Sequence, residues 1–106
     1  MTGVELIAAE RKRQVNVEGW MPEHDDTHRL CEMNEAARAY ARAAELQVRS
    51  GSEPENPGIW PWEREWWKPS SDPIRNLVKS GALIAAEIDR LQRKQRDDLL
   101  EREREK

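Results

Sequence analysis

Residues 24–35 read HDDTHRLCEMNE and gather two histidines, two aspartates and two glutamates into one short stretch. On a helix, Asp25, His28, Glu32 and Glu35 follow spacings of three, four and three, which place them on one face. Two chemistries fit that face. One is a solvated helix start, where the macrodipole favours negative charge. The other is a divalent-cation site. Carboxylates suit Mg²⁺ or Mn²⁺, and an imidazole shifts the preference towards Mn²⁺ or Zn²⁺. One helix rarely completes a coordination shell, so a partner is expected from AAEIDR, which offers Glu87 and Asp89. Glu87 sits beside an apolar stripe and needs a positive partner or a metal. The metal reading therefore has Glu32, Glu35 and Glu87 converging on Mg²⁺ or Mn²⁺, with Asp25 and His28 as weaker members.

A second set of residues suits an anion. ERKRQ supplies Arg11, Arg13 and Gln14. Arg11 falls on an apolar stripe, where it either pairs with Glu87 or Glu32 or turns its planar fork to a phosphate. Lys68, Arg75 and Lys79 surround the expected start of a helix, and a helix N-terminus is a ready anion site. Trp20, Trp60, Trp62 and Trp67 can stack on a base or can plug the core. Several classes have no support. There is no glycine-rich phosphate loop, no Ser-His-Asp order and no Cys-His spacing for structural zinc. Cys31 reads as a small core residue on a helix.

The elements that must position these residues follow from composition and periodicity. The chain has 106 residues, and a single helical domain over 1–106 is expected. Charged residues are 37% with a net charge of −3, which argues against non-specific nucleic-acid binding. One cysteine excludes a disulfide within the chain and fits a reducing compartment. No stretch approaches the ~20 apolar residues of a membrane span, and the N-terminus lacks the order of a signal peptide. A cytoplasmic protein is expected, made in a cell or by something infecting one.

Thr2 and Glu5 form a capping-box pattern for a first helix over 2–16, with Val4, Ile7, Ala8, Arg11 and Val15 on its apolar face and Gly19 as a C-terminal cap. A second helix is expected from Asp25–Thr27 to about Arg49, its stripe formed by Leu30, Met33, Ala37, Tyr40, Ala41, Ala44 and Val48. Residues 50–72 hold four of the five tryptophans and read as a Trp/Pro-rich crossover loop. Asp72 then caps a third helix with Pro73 in its first turn. Its stripe is Ile74, Leu77, Val78, Gly81, Ile84, Ala85, Ile88 and Leu91, followed by a charged helical tail over 92–106. The expected architecture is all-α, a small bundle of three main helices. Three helices bury their faces poorly alone, so a homo-oligomer is expected.

The ordered set ERKRQ, EGWMPEHDD, CEMNEAARAYA, WPW, WWKP and RNLVKSGALIAAEIDRL resembles a family of small phage and prophage proteins across residues 5–93. Here CEM stands where that pattern has GEL, and EIDR where it has EIER. The resemblance implies a protein acting in the host cytoplasm. The helix pair carrying EMNEA and AEIDR is also distantly similar to the MazG-like all-α nucleoside triphosphate pyrophosphohydrolases. Those hold Mg²⁺ with an ExxE pair on one helix and an ExxD pair on another. Glu32 and Glu35 match the first pair. Glu87 matches the start of the second, but Arg90 stands where that family has an acid. RQVNVEGWMPEHDD shares an R…GW…DD pattern with ryanodine-receptor repeat domains, and no residue roles carry over from it.

Three readings of function remain open. The first is binding of a nucleotide-like or phosphorylated ligand without turnover, for instance to sequester a host defence signal. Arg11, Arg13, Lys68, Arg75 and Lys79 would hold phosphate, and Trp20, Trp60, Trp62 or Trp67 would stack. The second is Mg²⁺- or Mn²⁺-dependent pyrophosphohydrolysis through Glu32, Glu35 and Glu87. The third is inhibition of a host defence protein, with the Trp-rich loop as anchor.

Overall fold

The computed structural model describes residues 1–28, 30–56 and 58–106, so Arg29 of the expected second helix and Pro57 of the loop lie outside the described residues. Among these residues the fold is entirely helical: α1 spans Gly3–Asn16, α2 Pro22–Asp25, α3 Glu32–Ser50 and α4 Pro73–Arg104, with one 3₁₀ turn at Arg64–Trp66. No helix is long and apolar enough to cross a membrane among the described residues.

The helix starts follow local chemistry. Thr2 and Glu5 close the expected capping box on α1, satisfying two backbone donors reciprocally. Asp72 accepts from the Ile74 backbone N–H at 3.0 Å, and Pro73 occupies the first turn of α4. Gly19 is left-handed at φ 75°, but it lies beyond the C-cap, which is Val17.

The expected single helix from Asp25 to Arg49 is broken. Asp25 ends the one-turn α2, and α3 begins only at Glu32. Cys31, expected in the core of that helix, is instead exposed at the N-cap of α3, where its φ of 67° places it in the left-handed region. That conformation costs a side-chain-bearing residue roughly 1–2 kcal/mol. Instead of capping α3, Asp25 turns inward to Arg11, while the Glu32 side chain reaches back to accept from the Leu30 N–H at 2.9 Å.

The central packing is α3 against α4, and α1 packs on α4 without touching α3. The seam is built largely from alanine: Ala36, Ala37, Ala39, Ala43 and Ala44 of α3 and Ala82 and Ala86 of α4 are all buried. Small side chains let helix axes approach closely. The Ser80 hydroxyl crosses the seam and donates to the Ala37 carbonyl at 2.7 Å. Trp20, Trp60, Trp62 and Trp67 pack over one side of this layer, against Met33, Tyr40 and Leu83. Asn76, fully buried, ties the end of the loop down. Its amide donates to Gln47 Oε1 and the Ser70 carbonyl and accepts from the Ser70 N–H.

The expected apolar stripes are only partly the buried ones. On α1, Val4 is 79% exposed, and the buried side chains are Glu10 and Gln14. Of the stripe expected on the second helix, Leu30, which precedes α3, and Val48 lie outside the core, whereas Met33, Ala37, Tyr40 and Ala44 lie within it. On α4, the buried face is Asn76, Val78, Ser80, Ala82, Leu83, Ala86, Glu87 and Arg90, and of the expected stripe only Val78 joins it. Ile74, Leu77, Ile84, Ile88 and Leu91 are exposed. The face of α4 that carries Ser80, Leu83 and Ala86 meets α3, and the stripe of large aliphatic residues lies on another face.

Two substitutions test this account. A Cβ at Gly81 would stand 2.5 Å from Ile7 Cδ1 and 2.9 Å from Ile7 Cγ1, so Gly81 is where α1 lies on α4. Gly81→Leu is expected to cost about 1–3 kcal/mol by overpacking in urea denaturation, and less in an Ile7→Ala background. Cys31→Gly is expected to stabilise the fold by on the order of 1 kcal/mol, because glycine takes the left-handed conformation without the steric penalty; a lower melting temperature would contradict this.

Candidate ligand-binding cleft

A cleft of about 1060 Å³ opens between α1, the 18–28 segment, the Trp-rich loop and the α3–α4 pair. Its walls hold eight of the ten residues expected to bind an anion: Arg13, Gln14, Trp20, Trp60, Trp62, Lys68, Arg75 and Lys79. Arg11 and Trp67 stand behind the walls. The cleft also takes in residues that the sequence reading assigned elsewhere or passed over, among them Glu10, His24, Tyr40, Arg64 and Leu83. The signal for the α4 wall is present in the sequence, since Arg75, Lys79 and Leu83 recur every four residues and so share one helix face.

The aromatic wall is a connected cluster. Trp60 meets Trp62 edge-on at 5.2 Å between ring centroids, Trp67 at 5.1 Å and Tyr40 at 5.6 Å. The Trp60 indole N–H donates to the Glu63 carbonyl at 3.0 Å, which pins the ring to its own turn. His28 lies 5.0 Å from Trp62 and from His24. Edge-to-face arrangements of this kind suit the ring quadrupole, and Trp60 and Trp62 of the cluster line the cleft.

Buried charge gives the cleft its frame. Glu10 is 2% exposed. It accepts from Arg13 Nε and Nη2 at 2.8 and 2.9 Å and from Arg75 Nη2. Burial alone would raise its pKa, but the two guanidiniums outweigh burial and hold the carboxyl below its ordinary value. This bridge joins α1 to the start of α4. Gln14 Nε2 lies 3.4 Å from the same carboxylate, and Gln14 Oε1 is buried without a protein donor. Asp25 pairs with Arg11 at 2.7 Å. There burial prevails over Arg11 and raises the carboxyl above its ordinary value.

The lysines behave differently. Lys79 Nζ donates to the Lys68 carbonyl at 2.7 Å and lies 5.4 Å from the centre of the Tyr40 ring. Lys68 Nζ lies 5.5 Å from that of Trp66. Among the described residues Arg64, Lys68 and Lys79 form no salt bridge with a carboxylate. Burial, with Arg75 nearby, lowers the Lys79 pKa. A half-buried cation beside an aromatic wall and without a counter-ion is a place where an anion is favoured.

Two residues of the metal reading, Glu87 and Asp25, are paired with guanidiniums. Glu87 accepts from Arg90 Nε at 2.6 Å, with both side chains buried. Neither Glu87 nor Glu32 pairs with Arg11, as one expectation had it, because Arg11 is taken by Asp25. Glu32 Oε2 lies 3.4 Å from His28 Nδ1, and Glu35 is half-buried on α3. Among the described residues no group of three or more His, Cys, Asp or Glu side chains is placed to hold a metal ion. Comparison with protein-family models, with curated proteins and with solved structures gives no significant match.

Arg11→Met tests the frame. It leaves the Asp25 carboxylate buried and unpaired, at an expected cost of about 3–5 kcal/mol near neutral pH. A carboxyl whose folded-state pKa is raised loses stability as pH rises through that pKa. The cost is therefore expected to shrink in mildly acidic buffer, where Asp25 takes up a proton. Denaturation of the variant at the two pH values checks this, and an equal loss at both would contradict it.

Proposed function

We propose that this protein binds a small planar anion of the nucleotide class in the cleft and holds it without turning it over. The observation that carries the reading is the meeting, in one cleft, of Trp20, Trp60 and Trp62 with Lys68, Lys79 and Arg64, three cations that have no carboxylate partner among the described residues. Stacking of a base on an aromatic side chain contributes roughly 1–3 kcal/mol, and charge-assisted hydrogen bonds to phosphate add to it. Arg13 and Arg75 already serve Glu10, so the free positive charge lies at the Lys68–Lys79 end. The buried Gln14 Oε1 lacks a donor and suits a hydroxyl or amine of the ligand. Holding, as opposed to hydrolysis, is supported by Arg90 on Glu87, which engages an acid that a metal-dependent pyrophosphohydrolase would need. The resemblance to small phage proteins fits sequestration of a host defence signal.

Trp66, 56% exposed beside Lys68, supports a second reading in which the loop anchors a host defence protein.

A thermal-shift screen separates these readings. Nucleoside triphosphates, cyclic di- and trinucleotides and ADP-ribose are each added with and without Mg²⁺ or Mn²⁺. A ligand at about a hundredfold over its Kd should stabilise the fold by ~2.7 kcal/mol, quench tryptophan fluorescence and be recovered intact. Lys79→Met should weaken its binding roughly 10–100-fold. Metal-dependent release of pyrophosphate would replace holding with hydrolysis. No shift with any of them would overturn the nucleotide reading and favour the protein-anchoring one.

A further inference from the structure

The two sides of the helical layer differ. Since α1 and α3 both pack on α4 and not on each other, α4 is the middle of a flat layer, and the Trp-rich loop covers only one side. At 3.6 residues per turn, Leu77, Ile84, Ile88 and Leu91 point away from the side of α4 that carries Arg75, Lys79, Ala82 and Ala86. On that uncovered side Ile74, Leu77, Ile84, Ile88 and Leu91 are 60, 51, 38, 51 and 41% exposed. The core, meanwhile, contains mostly alanine. Five large aliphatic side chains of α4 therefore remain exposed on the single chain, in a stripe of the kind that marks an interaction surface.

We propose that this face is the interface of a two-fold dimer, with a second copy of this chain as its occupant. Three observations select a second copy. First, with Gly81 the stripe runs 74, 77, 81, 84, 88, 91, with spacings of three, four, three, four and three. These are the spacings of a coiled-coil seam. They also read the same in both directions, so an antiparallel copy presents the same ladder. Ile74 then faces Leu91, Leu77 faces Ile88, and Ile84 faces Gly81, where Ile7 of α1 fills the surface. A surface that matches itself under a two-fold rotation is what an isologous interface requires. Second, no charged residue interrupts the stripe, so no unpaired charge is buried when two copies meet. Third, the size fits. The stripe is ~26 Å long at 1.5 Å per residue, which lets two antiparallel copies of α4 cover five large aliphatic side chains on each chain. The cleft lies on the opposite side and stays open in such a dimer.

Sedimentation and light scattering on the full chain test the proposal. The native protein at micromolar concentration is expected at twice its 12.4 kDa chain mass. Ile84→Lys/Ile88→Lys is expected at the single-chain mass with unchanged far-ultraviolet circular dichroism, because both side chains are exposed in one chain. Should that variant unfold, Leu77→Gln, a milder change on the same stripe, is expected to raise the dimer dissociation constant at least tenfold. Leu99→Lys/Leu100→Lys, in the tail beyond the stripe, is expected to leave the mass at two chains. A single-chain mass for the native protein at high micromolar concentration would overturn the proposal and leave the face to a different partner. So would a two-chain mass that persists in the folded stripe variants, or one that is lost only in the tail variant.

Discussion

The close approach of α3 and α4 through their alanines is the constraint from which the other features follow. A seam of small side chains draws two helices together and leaves little volume for large aliphatic residues between them. Burying large side chains is the main source of stability in a domain, so the chain must find that burial elsewhere. It does so with indoles laid across one side of the pair, where Trp20, Trp60, Trp62 and Trp67 close over Met33, Tyr40 and Leu83. The long 51–72 connection thus becomes a structural layer. Its foot is fixed by the Gln47, Ser70 and Asn76 hydrogen bonds.

An aromatic layer of this shape cannot match a smooth helical surface everywhere. Where α1 and the 18–28 segment meet it, the gap persists as the cleft. The cleft keeps its form through charge as well as through apolar packing. Glu10 is a buried carboxylate whose two guanidinium partners come from different helices, and Asp25 is a second with a partner on α1. Removing either partner leaves a buried charge uncompensated, and that costs far more than the pair contributes relative to a neutral substitute. The Glu10–Arg75 pair therefore specifies how α1 lies on α4, and the Arg11–Asp25 pair how α1 meets α2, more than either adds to stability.

Much of this was legible from residue types. The capping box at Thr2, the Asp72–Pro73 start, the helical class and the grouping of Arg13, Gln14, Trp20, Trp60, Trp62, Lys68, Arg75 and Lys79 all follow from local chemistry or from the density of basic and aromatic residues. What was not legible depends on a choice between faces. Periodicity marks Ile74, Leu77, Ile84, Ile88 and Leu91 as an apolar stripe, but it does not say whether the chain covers that stripe with its own elements. Nor does spacing reveal that Glu87 is held by Arg90, three residues along its own helix, or that Asp25 has left the helix face shared with His28, Glu32 and Glu35. Those outcomes are tertiary, set by which carboxylate each guanidinium can reach.

The left-handed residue before α3 separates the backbone path from the side chain that happens to occupy it. A φ of 67° at Cys31 is a conformation that glycine adopts without strain. The turn is therefore a property of the backbone path, and the side chain at that point is a passenger. Cysteine and glycine codons differ by a single base. The chain thus lies one nucleotide change from relieving its own strain, and the shape of the break before α3 is the same on either side of that change.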